Sequence, residues 1–207
     1  MIKGLLHPDS GSVTLACPDG HQSVGYLGGD PYDSFVGITV LEDITFGMEN
    51  LGVPRSEMSE RLEKVLKWTN LEGMEDRLVH TLSGGEQQKL ALAGILAMGL
   101  QVLVLDDAFN MLDQPNKKAL RSLINDLRLK HHLTVVETGH ILEPEIQRVI
   151  FLSEGKILID SPISDFTLYK ECLEWTAHEG STAGLTLAVA MESGVDSGIF
   201  RIIEKML

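Results

Sequence analysis

Val102-Leu103-Val104-Leu105 is an unbroken apolar run that closes on Asp106-Asp107. A half-exposed strand would alternate apolar and polar residues. This run does not, so it suits a strand covered on both faces, as in a parallel sheet flanked by helices. Helical patterns lie on either side of it, at Ser83 to Met98 and at Asn116 to Lys130, and a second short buried strand is expected at Leu133 to Val136. The alternation of strand and helix from residue 101 onward predicts an α/β domain with a parallel sheet. Arg148 to Leu152 and Lys156 to Ile159 flank Glu154-Gly155 and read as a hairpin.

The chain upstream of that run is organised differently. Leu41 to Leu51 places Ile44, Met48 and Leu51 on one helical face, and Ser56 to Thr69 does the same with Met58, Leu62, Val65 and Leu66. Gly52-Val53-Pro54 separates them. With only helices from Leu41 to about Thr81, residues 41–98 are expected to form a helical subdomain inserted in the sheet. Ser12 to Ala16 and Val24 to Leu27 read as short strands, the second broken by Gly28-Gly29-Asp30-Pro31. Ala183 to Gly198 has many small residues and two glycine-containing breaks, so residues 166–207 are set apart as an extension without an assigned role.

Charge narrows the function. The formal net charge of −13 over 207 residues repels nucleic-acid phosphates, which argues against a nucleic-acid partner. Cys17 and Cys172 are far apart and in no metal-like spacing, as expected of free thiols in a reducing compartment. The opening Met1-Ile2-Lys3-Gly4-Leu5-Leu6 is too short for a secretory signal. Leu185 to Met191 falls far below the roughly 20 residues that span a bilayer. The chain is therefore read as cytoplasmic, with any membrane link made through a partner.

Three constellations carry chemistry. Ligands of open α/β sheets collect beyond the carboxyl ends of the strands, where Asp106 and Asp107 stand. There the first acid would hold a phosphate-bound Mg²⁺ and the second would orient or deprotonate an attacking water; the plain alternative is an acidic turn. Leu82-Ser83-Gly84-Gly85-Glu86-Gln87-Gln88 combines a hydroxyl, two glycines that admit a close phosphate, and the free N–H groups of a helix start. A mere helix-capping turn is a poor account of five such residues followed by a helix and an acid-ended strand. His140, just past the Leu133–Val136 strand, is placed where it could donate to a terminal phosphate; taken alone it reads sooner as a surface or turn histidine.

In this order the motifs resemble those of the nucleotide-binding subunit of ABC transporters, which has a P-loop NTPase-like fold. Leu82–Glu86 looks like the family signature and Val102–Asp106 like its Walker B strand. Asn110-Met111-Leu112-Asp113 resembles the D-loop and His140 the switch histidine. More narrowly, Phe35-Val36-Gly37-Ile38-Thr39-Val40 and Glu42–Gly52 are similar to the ATPases of energy-coupling factor importers, which take up vitamins, cobalt or nickel. Gly4–Gly11 resembles the segment just after the phosphate-loop helix. The likeness covers residues 1–165. It implies ATP and Mg²⁺ as cofactors and a location at the inner face of the membrane. It also implies a second ABC module paired head to tail and a transmembrane transporter subunit. In such a pair, Ser83, Gly84, Gly85, Glu86 and Asp113 would serve ATP bound by the partner.

The sequence also departs from the family pattern. Gly-x-x-x-x-Gly-Lys-Ser/Thr is absent: the only Gly-Lys pair, Gly155-Lys156, precedes Ile157. Without that loop most phosphate-binding energy is missing, which suggests either a truncated chain or a half-module completed by another. Asp107 stands where the family usually has Glu, and a carboxylate misplaced by about 1 Å can lose on the order of a hundredfold in rate. Gly29 stands at the glutamine of the Q-loop, and Gly139 and Ile141 flank His140 where Thr and Asp are common. An intact signature beside a weakened catalytic side suggests the degenerate member of an asymmetric pair. The expected function is thus an ATPase subunit of an importer, or else a non-catalytic module acting as a binding partner.

Overall fold

The computed structural model describes residues 24–109, 112–131, 133–139, 146–153, 156–163 and 185–190. They fall into two compact units, residues 24–133 and residues 134–190. The expected Ser12–Ala16 strand, both cysteines, Asn110, Met111, the Glu154-Gly155 turn, His140 and Ile141 lie outside the described residues. Among those described, no helix is long and apolar enough to cross a membrane.

The first unit holds β1 (Val24–Gly28), α1 (Val40–Asn50), α2 (Arg55–Thr69), α3 (Gly84–Ala97), β2 (Val102–Asp106) and α4 (Gln114–His131). β1 and β2 pair in parallel, with Gly28 opposite Asp106, so the parallel arrangement expected from the apolar run is present. The helical insert between them has its own core: Val40, Ile44 and Met48 of α1, Val65 and Leu66 of α2, and Leu90, Ala93 and Ala97 of α3. α3 is apolar almost all round because it is covered on two sides. One side meets α1 and α2. The other lies on β1, where a Cβ on Gly25 would stand 2.3 Å from Ile95 Cγ2. That absence of a side chain lets the helix settle against the strand.

α1 begins with an unusually well-satisfied entry. Thr39 and Glu42 form a capping box. Asp43 Oδ1 accepts from the Val36 and Gly37 amides at 2.8 and 3.0 Å. Glu42 Oε2 accepts from those of Ile38 and Thr39 at 2.9 and 3.2 Å. Four consecutive amides thus find carboxylates on one helical turn. Gly37 can lie there only because it lacks a side chain: a Cβ would stand 2.2 Å from Asp43 N and 2.7 Å from Glu42 C. Both are backbone atoms that cannot swing aside, so Gly37→Ala is expected to cost about 2 kcal/mol by overpacking, read as a lower thermal unfolding midpoint.

The second unit contains β3 (Thr134–Gly139), β4 (Arg148–Ser153), β5 (Lys156–Pro162) and β6 (Leu185–Ala190). β4 and β5 form the expected antiparallel hairpin, with a register shift between Phe151 and Leu152. β6 runs antiparallel to both β3 and β4. The sequence alone assigns this tail segment no role, because small residues and glycine-containing breaks mask the short Leu185–Ala190 strand, and its pairing partners lie far away in the chain.

Candidate functional site

The signature segment is a helix start built by local chemistry. Ser83 is extended (φ −64°, ψ 157°) and caps α3, its side chain accepting from the Glu86 amide at 3.3 Å. Glu86 Oε2 in return accepts from the Ser83 amide and hydroxyl, each at 2.8 Å. This is the reciprocal capping box that Ser-x-x-Glu encodes. Among the described residues, and apart from its own helix and chain neighbours, no atom lies within 4 Å of where a Cβ on Gly84 would stand. The backbone there is open to a close-approaching anion at the positive end of α3.

The Ser83 amide, then the Ser83 hydroxyl, hold Glu86 below the usual glutamate range against a smaller opposing effect of burial, and Arg77 and Lys89 add to the lowering. A depressed folded-state pKa contributes stability that is present above the ordinary glutamate range and lost as pH falls from there through the lowered folded-state pKa. Glu86→Ala is expected to cost about 1 kcal/mol through loss of the cap. Glu86→Gln should keep the reciprocal geometry but remove this acid sensitivity. Chemical denaturation at pH 7 and in mild acid separates the two.

Asp113 caps α4. Its Oδ1 accepts from the Asn116 amide at 2.9 Å, and its carbonyl accepts from the Lys117 amide at 2.9 Å. The side chain of Asn116 lies against Gly85, with Nδ2 3.1 Å from where a Cβ would be. The signature turn and the Asp113-capped helix start are therefore adjacent, an arrangement their sequence separation does not suggest.

The acids stand at the carboxyl ends of the parallel strands, as expected. Asp106 and Asp107 are both half-buried. Asp106 Oδ2 accepts from the Tyr26 hydroxyl at 2.8 Å. That bond, then burial and the negative charge of Asp106, raise the Tyr26 pKa above its ordinary value, so the phenol is the donor at neutral pH. Asp107 has φ +50°, a left-handed conformation that aspartate tolerates better than most residues. Gly29 abuts it: a Cβ there would lie 3.2 Å from the Asp107 carbonyl oxygen. Two of the positions that differ from the family pattern are therefore neighbours.

A residue missed at the sequence level joins these strand ends to the signature helix. Gln88 on α3 is 1% exposed. Its Nε2 donates to the Gly28 carbonyl at 3.1 Å and to the Ala108 carbonyl at 2.6 Å. The available signal was the amide pair Gln87-Gln88 ahead of the apolar Leu90-Ala91-Leu92-Ala93 stretch. The sequence does not reveal its acceptors.

Among the described residues no group of three or more His, Cys, Asp or Glu is placed to hold a metal. Mg²⁺ on a nucleotide needs only one or two carboxylates, with phosphates and water completing its shell. A half-buried carboxylate at a strand end fits that demand. For the nucleotide itself, the open backbone at Gly84 and the amides of the α3 start fit a phosphate.

A family model described as ABC transporter matches residues 1–110. The energy-coupling factor transporter ATP-binding protein EcfA1 of Ligilactobacillus salivarius is 37% identical over 187 residues, covering 84% of this chain and 65% of that protein. EcfA1 of Bacillus subtilis is 33% identical over 181 residues, covering 82% and 64%. Among solved structures, cbiO1 of Clostridium perfringens, part of the ABC transporter complex cbiONQ, aligns with a TM-score of 0.63 at 26% identity. That alignment covers 74% of this chain and 62% of cbiO1. This chain thus spans only part of the relatives it matches, 65% of the first and 60% of another.

Proposed function

Because this chain belongs to the ABC transporter family, we propose that it is an ATP-binding subunit of an energy-coupling factor type importer. It contributes its signature loop to ATP held by a partner module and couples hydrolysis to solute uptake. One observation carries this reading: the signature turn is capped by its own box yet open at Gly84, where, among the described residues and apart from its own helix and chain neighbours, no atom lies within 4 Å of a Cβ position. A backbone so held can meet a phosphate without rearranging.

In this reading Ser83, Gly84, Gly85 and Glu86 face the partner's nucleotide, and Asp113 holds the adjoining helix start beside them. Asp106 would hold Mg²⁺, and Asp107 would orient the attacking water. His140 would donate to the terminal phosphate. Bound Mg²⁺ would supply neutralisation of the charge that develops on the phosphates. The partner is a second ABC module, more fittingly a different chain than a copy, because Gly29 and Asp107 weaken this chain's own side.

The transmembrane subunit would dock at the start of α1. There Val36 and Ile38, just before the helix, are 60% and 67% exposed, whereas Val40, Ile44 and Met48 of the helix are buried. The chain would sit in the cytoplasm against the inner face of the membrane, without nucleic acid. Residues 1–165 would form the ATPase-like domain, with 166–207 appended and β6 joined to β3 and β4.

A second reading, a non-catalytic module that binds and regulates, is favoured by Gly29 and Asp107 alone. Mixing the purified chain with an intact ABC ATPase module separates the two. Hydrolysis above that of the partner alone is the expected result. No increase, with complex formation intact, would leave only the non-catalytic reading. Hydrolysis by this chain on its own would remove the need for a partner.

A further inference from the structure

Tyr26 stands on β1 two residues before Gly28, and Gly28 lies opposite Asp106 on β2. The ring of Tyr26 runs along the strand over Gly28. Its Cε1 and hydroxyl oxygen lie 3.4 and 3.5 Å from where a Cβ on Gly28 would be. Because Gly28 has no side chain, the ring reaches past it to the facing strand, and the hydroxyl ends 2.8 Å from Asp106 Oδ2. Tyr26 is 42% exposed. A phenol in that setting has water to bond with, so its burial does not demand a carboxylate. The bond matters more to the carboxylate than to the ring.

We propose that Tyr26 is a positioning residue that orients the Asp106 carboxylate for a divalent cation carried on the nucleotide. The inference rests on the reading of Asp106 as the metal-holding acid. An ionised carboxylate offers about four lone-pair sites, so one phenol bond does not exhaust it. An ungoverned aspartate rotates about χ1 and χ2 and loses orientational freedom when it takes a cation. A donor fixed on the neighbouring strand removes that loss in advance. Partners that hydrogen-bond to a metal-holding carboxylate typically change metal affinity by about 10- to 100-fold when removed. Partial exposure places Tyr26 at the low end of that range.

The test is Mn²⁺ binding in the presence of ATP, with the Mn²⁺ taken up by the same ATP without protein subtracted. Free Mn²⁺ is followed by electron paramagnetic resonance on the full chain and on Tyr26→Phe, Asp106→Asn and the double variant. Tyr26→Phe keeps the ring and its packing over Gly28, and an unchanged circular dichroism melt verifies that. The expected result is an apparent Kd for Mn²⁺ raised about tenfold by Tyr26→Phe. Asp106→Asn should raise it at least as far, and the double variant no further than Asp106→Asn alone, because the phenol acts only through the carboxylate. Unchanged or tighter binding by Tyr26→Phe, with Asp106→Asn weakened, overturns this inference and leaves the reading of Asp106 standing. Binding unaffected by Asp106→Asn, or absent in every form, overturns both.

Discussion

Chains carrying Ser83→Arg are expected to fold, to associate with an intact partner module, and to lose the hydrolysis that the unaltered chain supports in that mixture. Two effects combine. The first is structural and small: the hydroxyl that accepts from the Glu86 amide and donates to Glu86 Oε2 is gone, a cap worth about 1 kcal/mol. The second is functional and large. The approach to the α3 amides is open among the described residues, where none stands in front of Gly84. A long side chain on the adjacent residue fills that approach and holds a phosphate away from the amides. A displacement of about 1 Å can lose on the order of a hundredfold in rate, and an arginine imposes several times that distance. Steady-state phosphate release from the mixture gives the rate, and the melting temperature of the variant alone accounts for the structural share. Activity retained in the mixture would mean that the signature of this chain does not serve the partner's nucleotide.

Gln88→Leu should produce the largest loss of stability in the helical unit. Leucine is close to glutamine in size, so the site keeps its volume. The Gly28 and Ala108 carbonyls lose a shared donor. A buried acceptor left without its partner costs about 1–3 kcal/mol, so two together should cost about 3 kcal/mol. The ends of β1 and β2 should also loosen relative to α3, because Gln88 is the bond between them. Chemical denaturation measures the loss. Hydrogen exchange at the amides of Gly29 and Asp107 reports the loosening, and protection there equal to that of the unaltered chain would exclude a role for Gln88 in holding the strand ends.

Much of this protein is legible in its sequence. The periodicities at Leu41–Leu51 and Ser56–Thr69 locate α1 and α2 to within one residue at each end. Helical hydrogen bonds and side-chain rows span only three or four positions, and the residues that decide them are close together in the chain. The Ser83–Glu86 capping box is local in the same sense. The acid-ended apolar run became β2 paired in parallel with β1, because a strand apolar on both faces must be covered on both. Which apolar residues of the Phe35–Met48 segment form core and which meet solvent could not be read in advance. The loop amides of Val36 to Thr39 turn back onto Glu42 and Asp43, and that turn sends Val36 and Ile38 outward.

By itself, then, the sequence determined the elements, the capped signature turn and the placement of two acids at a strand end. These follow from neighbours a few residues apart and from the rule that apolar surface must be covered. The tertiary structure alone decided which groups those acids and that helix engage. The Tyr26–Asp106 bond joins residues 80 positions apart, and Gln88 reaches acceptors 60 and 20 positions away. A buried polar group must find a partner, but sequence states only the need, and packing selects which distant atom meets it. The left-handed Asp107 beside Gly29 belongs to the same class. Its backbone conformation answers to the residue packed against it, and no local pattern encodes that neighbour.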